Sequence, residues 1–141
     1  MRYWDSSALV PLCVREAASA RLVQAYRSDP AILTWWGSEI ECVSAFSRLE
    51  REGLIAPASI VGALERLRKL RGDWHEVQPA KAVRDAAMRL LRVHPLRAAD
   101  ALQLSSAVVA SHHDPAAFDF VTLDARLSAA AQREGFNIVS F

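Results

Sequence analysis

Apolar positions along this chain fall into short runs and helix-spaced repeats that alternate from one end to the other. Residues 1–4 are a short apolar stretch that reads as a strand. Asp5 ends it, and Ser6 or Ser7 can cap the helix that follows. Pro11 kinks or restarts that helix. Residues 16–27 have helical spacing and offer Ala20, Leu22, Val23 and Tyr26 to a core. Asp29-Pro30 punctuates, and residues 31–35 read as a second strand. Gly37-Ser38 opens a helix to about Arg51, with Gly53 as its stop. Another helix starts at Pro57 and ends near Gly72, followed by a weak strand over residues 75–77. Pro79 sits at the first turn of a helix through about Arg92, which His94-Pro95 breaks. Residues 97–111 form the most apolar helix, residues 112–115 a loop, and residues 118–123 a strand rich in β-branched and aromatic side chains. Asp124 then leads a helix to Arg133, Gly135 stops it, and residues 137–141 read as the last strand. Strands that alternate with helices predict an α/β fold with a short, mostly parallel central sheet.

Composition narrows the class. The chain has 141 residues, 52% of them hydrophobic, which fits one globular domain over residues 1–141. No apolar run approaches the roughly 18–20 residues of a membrane span, and the first residues do not read as a secretory signal. Cys13 and Cys42 both lie in apolar surroundings and read as reduced core thiols of a cytoplasmic protein. Net charge is +1, but fifteen of the 17 basic residues are arginine, whose forked donors suit phosphate. Between Glu65 and Arg97 nine basic residues face four acidic ones.

Two carboxylates break the apolar pattern. Asp5 is the only charged residue between Tyr3 and Val14, and Asp100 the only one between Ala98 and Ser111. Burying a carboxylate without a cation is costly. Apart from Arg97, neither segment offers a basic neighbour, so the pair points to a shared external cation. In a parallel sheet, sites form beyond the carboxyl ends of the strands. Asp5 closes the first strand, Asp124 follows a later one, Asp100 lies near the start of a buried helix, and a glutamate lies early in the helix after the second strand. An all-oxygen set of this kind suits Mg²⁺ or Mn²⁺. His75, His94, His112 and His113 have no zinc spacing, and neither cysteine has a partner, which argues against zinc. On a helical wheel the apolar residues Cys42, Val43, Phe46 and Leu49 lie nearer Glu39 than Glu41, so both glutamates stay in play. Asp119 rivals Asp124, but it starts its strand and points to the other end of the sheet. Arg97 either positions phosphate or pairs with an acidic neighbour, and Trp35-Trp36 reads as packing rather than base stacking.

Four segments together resemble the PIN-domain ribonucleases of the VapC toxin type. They are Tyr3-Trp4-Asp5-Ser6-Ser7-Ala8-Leu9-Val10, Glu41-Cys42-Val43-Ser44-Ala45-Phe46-Ser47-Arg48, Leu96-Arg97-Ala98-Ala99-Asp100-Ala101-Leu102-Gln103-Leu104 and Phe120-Val121-Thr122-Leu123-Asp124-Ala125-Arg126-Leu127. Each motif alone is weak, but four in this order span essentially the whole chain. The resemblance implies a three-layer α/β/α sandwich and a catalytic, metal-binding quartet of Asp5, Glu41, Asp100 and Asp124, with Glu41 selected over Glu39. It implies supporting roles for the hydroxyls of Ser6 and Thr122. It further implies Mg²⁺- or Mn²⁺-dependent cleavage of transfer or ribosomal RNA, a VapB-like antitoxin partner and a homodimer. Without the quartet the chain carries 17 basic against 12 acidic residues, a surface balance that suits RNA. A haloacid-dehalogenase-type phosphatase needs a second Asp two residues after the first, where Ser7 stands. The remaining alternative is a catalytically silent PIN domain that binds RNA or protein.

Overall fold

The computed structural model describes residues 1–141. Its centre is a five-stranded sheet in the order β3-β2-β1-β4-β5. The strands are β1 (Arg2–Trp4), β2 (Ile32–Trp35), β3 (His75–Val77), β4 (Asp119–Val121) and β5 (Asn137–Ile138). Every neighbouring pair is parallel, so the sheet is wholly rather than mostly parallel. Seven α-helices connect them: α1 (Ser6–Cys13), α2 (Ser19–Ser28), α3 (Ser38–Arg51), α4 (Pro57–Asp73), α5 (Lys81–Val93), α6 (Ala98–Ala110) and α7 (Ala125–Arg133).

The period-two alternation of the strands divides the core. Trp4, Ile32 and Val121 face one side and pack with Leu9, Leu22, Cys42, Phe46 and Leu67 from α1 to α4. Tyr3, Leu33 and Phe120 face the other and pack with Leu90, Leu104 and Leu127 from α5 to α7. The rings of Tyr3 and Phe120 stack across adjacent strands with centroids 5.0 Å apart. The result is three layers, helices on both faces of the sheet. Strands β1 to β3 step one way across it, then the chain crosses back to β4 and continues outward to β5. The order reverses between β1 and β4, where α/β folds place their binding crevice.

Local details differ from the sequence pattern in instructive ways. Pro11 sits inside α1 without dividing it. Helix α5 begins at Lys81, because Pro79 lies ahead of its cap, Ala80, instead of in its first turn. Helix α2 starts only at Ser19, and Ala20 is exposed, while Leu22 is its fully buried anchor. Strands β4 and β5 are shorter than their apolar runs. Ladder pairing, not side-chain character, sets where a strand stops. Gly53 and Gly135 end α3 and α7 with φ of 72° and 98°, a region that L side chains rarely adopt. A Cβ at Gly37 would strike the Trp35 indole, so the turn into α3 depends on glycine there.

Candidate active site

Asp5 leaves β1 at the centre of the sheet. Its N–H donates to the Val121 carbonyl of β4 at 3.1 Å, which extends the ladder by one residue and fixes its backbone. Its side chain then caps α1, accepting from Ser7 N at 3.2 Å and Ser7 Oγ at 2.8 Å. Asp5 itself is therefore the cap that the sequence suggests for Ser6 or Ser7. The Ser7 hydroxyl instead ties two strand ends together. It accepts from Leu123 N at 2.9 Å and lies 3.3 Å from Thr122 Oγ1. Thr122 Oγ1 accepts from Asp124 N at 3.0 Å, and the Asp124 carboxylate caps α7 by accepting from Leu127 N at 2.8 Å.

Glu41 enters from the first turn of α3. Ser6 Oγ donates to it at 2.7 Å and Gln103 Nε2 at 3.2 Å. Glu39 turns away, 3.4 Å from Arg71 of α4. The two glutamates flank the buried stripe of Ser38, Cys42 and Phe46 on opposite sides. A helical wheel gives the distance from that stripe but not which neighbour stands on each side. Asp100 comes from the first turn of α6, where its carboxylate accepts from Arg97 N at 3.3 Å. One turn later on the same helix, Gln103 accepts from Tyr3 OH at 2.8 Å and donates to Ser38 Oγ at 2.9 Å. This buried chain of donors holds the Gln103 amide against Glu41.

Asp5, Glu41, Asp100 and Asp124 line one cavity of about 660 Å³, together with Ser6, Ser7, Glu16 and Arg48. Asp119, the rival of Asp124, lies elsewhere, 3.3 Å from Arg2. None of the four forms an ion pair with a lysine or arginine side chain within 4.0 Å. The consequence is electrostatic. Asp5 is only 4% exposed, and burial pushes its carboxyl up to about 7 against the pull of Ser7 and Thr122, with Glu41 adding to the rise. Burial also raises Glu41, which feels the charge of Asp100, and raises Asp100, which feels the charge of Asp124. The carboxylates thus load one another in sequence around the cavity.

Oxygen donors alone, carboxylate and hydroxyl, line the acidic part of this cavity, and the charge there is uncompensated. That chemistry fits a hard divalent cation. Asp5 and Asp100 face the cavity as candidate holders, with Glu41 and Asp124 beside them. No three acidic or His/Cys side chains gather into a ready-made ligand set. Like charges repel at close range, and each carboxylate is meanwhile engaged by a hydroxyl, an amide or a backbone N–H.

The remaining candidates separate cleanly. Arg97 forms no ion pair and lines a side cavity with Asp100. Trp35 is buried and meets Trp36 edge to face, while Trp36 is 45% exposed. His94 is buried against Glu134, at 2.7 Å. Cys13 and Cys42 are buried free thiols, both pushed up by burial. Ser7, Ser38 and Gln103 were absent from the sequence-derived site. Their signal was present all the same: a second hydroxyl after Asp5, and one amide in an otherwise apolar helix one turn after Asp100. No helix is long and apolar enough to cross a membrane.

No protein-family model and no curated protein sequence matches the chain. Solved structures do match in fold. A toxin–antitoxin complex from Klebsiella pneumoniae superposes with a TM-score of 0.67 at 14% identity, covering 99% of this chain and 97% of that one. VapC20 of Mycobacterium tuberculosis, a Sarcin-Ricin loop cleaving toxin, gives 0.67 at 19% identity over 96% of both chains. FitAcB from Neisseria gonorrhoeae gives 0.67 at 14% identity, covering 99% of this chain and 97% of that one. The chain therefore has the PIN-like α/β fold of these proteins.

Proposed function

We propose that this chain is a metal-dependent endoribonuclease of the VapC type, the toxin of a toxin–antitoxin pair. The observation that carries this reading is the uncompensated carboxylate set at the strand-order reversal of a PIN-like sheet. A bound Mg²⁺ or Mn²⁺ would supply Lewis acidity, lowering the pKa of water and offsetting charge on the phosphoryl oxygens. Asp5 and Asp100 would hold it, with Glu41 and Asp124 acting directly or through water. Ser6 orients Glu41, while Ser7 and Thr122 orient Asp5 and Asp124. Hydrolysis in this sense leaves a 5′-phosphate and a 3′-hydroxyl. The toxin–antitoxin complex and the Sarcin-Ricin loop cleaving toxin of like fold support an antitoxin partner and an RNA substrate, which this reading takes to be a VapB-like antitoxin and transfer or ribosomal RNA. A basic antitoxin side chain among the carboxylates would silence the site, and a homodimer would present two of them.

One observation favours the rival, a silent module that binds RNA or protein: no three carboxylates gather into a ready-made ligand set. The burial of Asp5 outweighs it, since all that a binding module gains from Asp5 is the α1 cap, which a serine or threonine would supply without burying a charge. Antitoxin-free protein incubated with total RNA separates the two. Discrete fragments that require Mg²⁺ or Mn²⁺, vanish with EDTA and vanish in Asp5→Asn and Asp100→Asn establish the nuclease. Intact RNA from folded, metal-supplied wild type favours the silent module.

A further inference from the structure

Two arginines stand beside the carboxylates without neutralising them. Arg97 immediately precedes α6 and Arg126 lies in the first turn of α7, so both side chains emerge where these helices meet the site. They line a cavity of about 420 Å³ with Asp100, Asp124 and Ala125 and no other residue. Asp100 and Asp124 also line the main cavity, so the two spaces share an acidic wall. Four of the thirteen other arginines are engaged: Arg2 with Asp119, Arg71 with Glu39 and Glu76, Arg89 with Glu134 and Arg66 with the Cys13 carbonyl. What sets Arg97 and Arg126 apart from the unpaired rest is that the two together share a cavity with two carboxylates. Arg97 and Arg126 take part in none of the ion pairs, although two carboxylates border the same cavity. Both guanidiniums are near enough to pull the Asp100 carboxyl down.

We infer that Arg97 and Arg126 form an anion subsite for the RNA phosphate adjacent to the one being cleaved, so that they position the strand across the carboxylates. The inference rests on the ribonuclease reading. A scissile phosphate over the carboxylates needs a cation between the two negative groups, but its neighbour along the strand does not. Two forked guanidiniums on one cavity match a phosphodiester bidentately and leave the acidic wall free. The arginine pair shares its cavity with Asp100 and Asp124 and not with Asp5 or Glu41, so the subsite lies beside one half of the quartet.

The test uses wild type and the Arg97→Ala/Arg126→Ala double variant on a short single-stranded RNA carrying the mapped cut. Both side chains are exposed, and thermal melts show whether the variant is folded. KM is expected to rise on the order of tenfold or more with kcat little changed, the scale of lost charged hydrogen bonds. The slope of log KM against log salt should flatten by about 0.7 per lost phosphate contact on a single strand. A neutral methylphosphonate moved along the RNA should weaken wild type at one linkage beside the cut and leave the double variant unaffected there. Wild-type KM in the double variant, or a fall in kcat at constant KM, overturns the subsite. Equal methylphosphonate sensitivity in both proteins does the same. If wild type cuts nothing, the ribonuclease reading fails separately, and fluorescence anisotropy with the same RNA judges the subsite. Weaker binding by the double variant then supports it, and equal binding rejects it.

Discussion

Two acidic clusters, one built on Glu134 with Arg89 and His94 and the other on four carboxylates, sit partly buried in this protein, and they are built to opposite rules. Glu134, just past α7, accepts from Arg89 at 2.8 and 3.3 Å and contacts His94 Nε2 at 2.7 Å. Those bonds hold its carboxyl below the usual range. The quartet of Asp5, Glu41, Asp100 and Asp124 meets only hydroxyls, an amide and backbone N–H groups, and three of its members are raised. The first cluster carries its own counter-charge and ties α5 to the turn after α7. The second has no ion-paired counter-charge, Arg97 and Arg126 standing near Asp100 without pairing with it, which a fold can tolerate only at some cost to its stability. On the proposed nuclease reading, a working acid differs from a structural one by which partner is missing, more than by burial.

Substitutions should break the two clusters differently. Asp5→Asn or Asp100→Asn is expected to cut RNA cleavage by well over about 100-fold, beyond the 10–100-fold typical of losing a second-shell partner. The check is the initial rate on a mapped RNA. Gln103→Leu should fall inside that 10–100-fold band, since Glu41 loses its amide donor while the helix keeps its packing. Glu134→Ala should leave cleavage intact and lower stability by about 1–3 kcal/mol in urea unfolding, because the ring of buried His94 loses its partner.

Acidity separates the clusters by sign. Asp5 is raised from 3.8 to about 7, so the folded state keeps a proton that the unfolded chain has lost. Stability of the cation-free protein should therefore fall as pH rises across that window, and Asp5→Asn should flatten the fall. Glu134 is lowered from 4.5, so its contribution is present above that value and is lost as pH falls through its folded pKa. Melting temperatures from pH 3 to 8 for wild type, Asp5→Asn and Glu134→Ala resolve both trends. The smallest effect belongs to Glu39→Gln, which should leave cleavage unchanged where Glu41→Gln abolishes it.

Much of this was legible in the sequence. Alternating strands and helices, the glycine stops and the solitary carboxylates Asp5 and Asp100 came straight from residue pattern, because burial and backbone geometry constrain each locally. Partner choice across space was not legible. Glu39 and Glu41 border the same buried stripe; residue pattern left both open and the family resemblance selected Glu41, while the packing of α3 between α4 on one side and α1 with α6 on the other supplies the physical reason. Gln103 shares the first turns of α6 with Asp100, yet its function depends on Tyr3 and Ser38, which lie 100 and 65 residues away. Strand ends at β4 and β5 went astray for the same reason: a ladder stops where its neighbour stops.

The most direct measurement is a Mn²⁺ or Mg²⁺ titration at pH 8, followed by the melting temperature of wild type, Asp5→Asn, Asp100→Asn and Glu134→Ala. A cation that fills the quartet should raise the melting temperature of wild type and Glu134→Ala saturably, reverse with EDTA, and do little for the two Asn variants. An unchanged wild-type melt, or an equal rise in all four proteins, would contradict the quartet as a cation site.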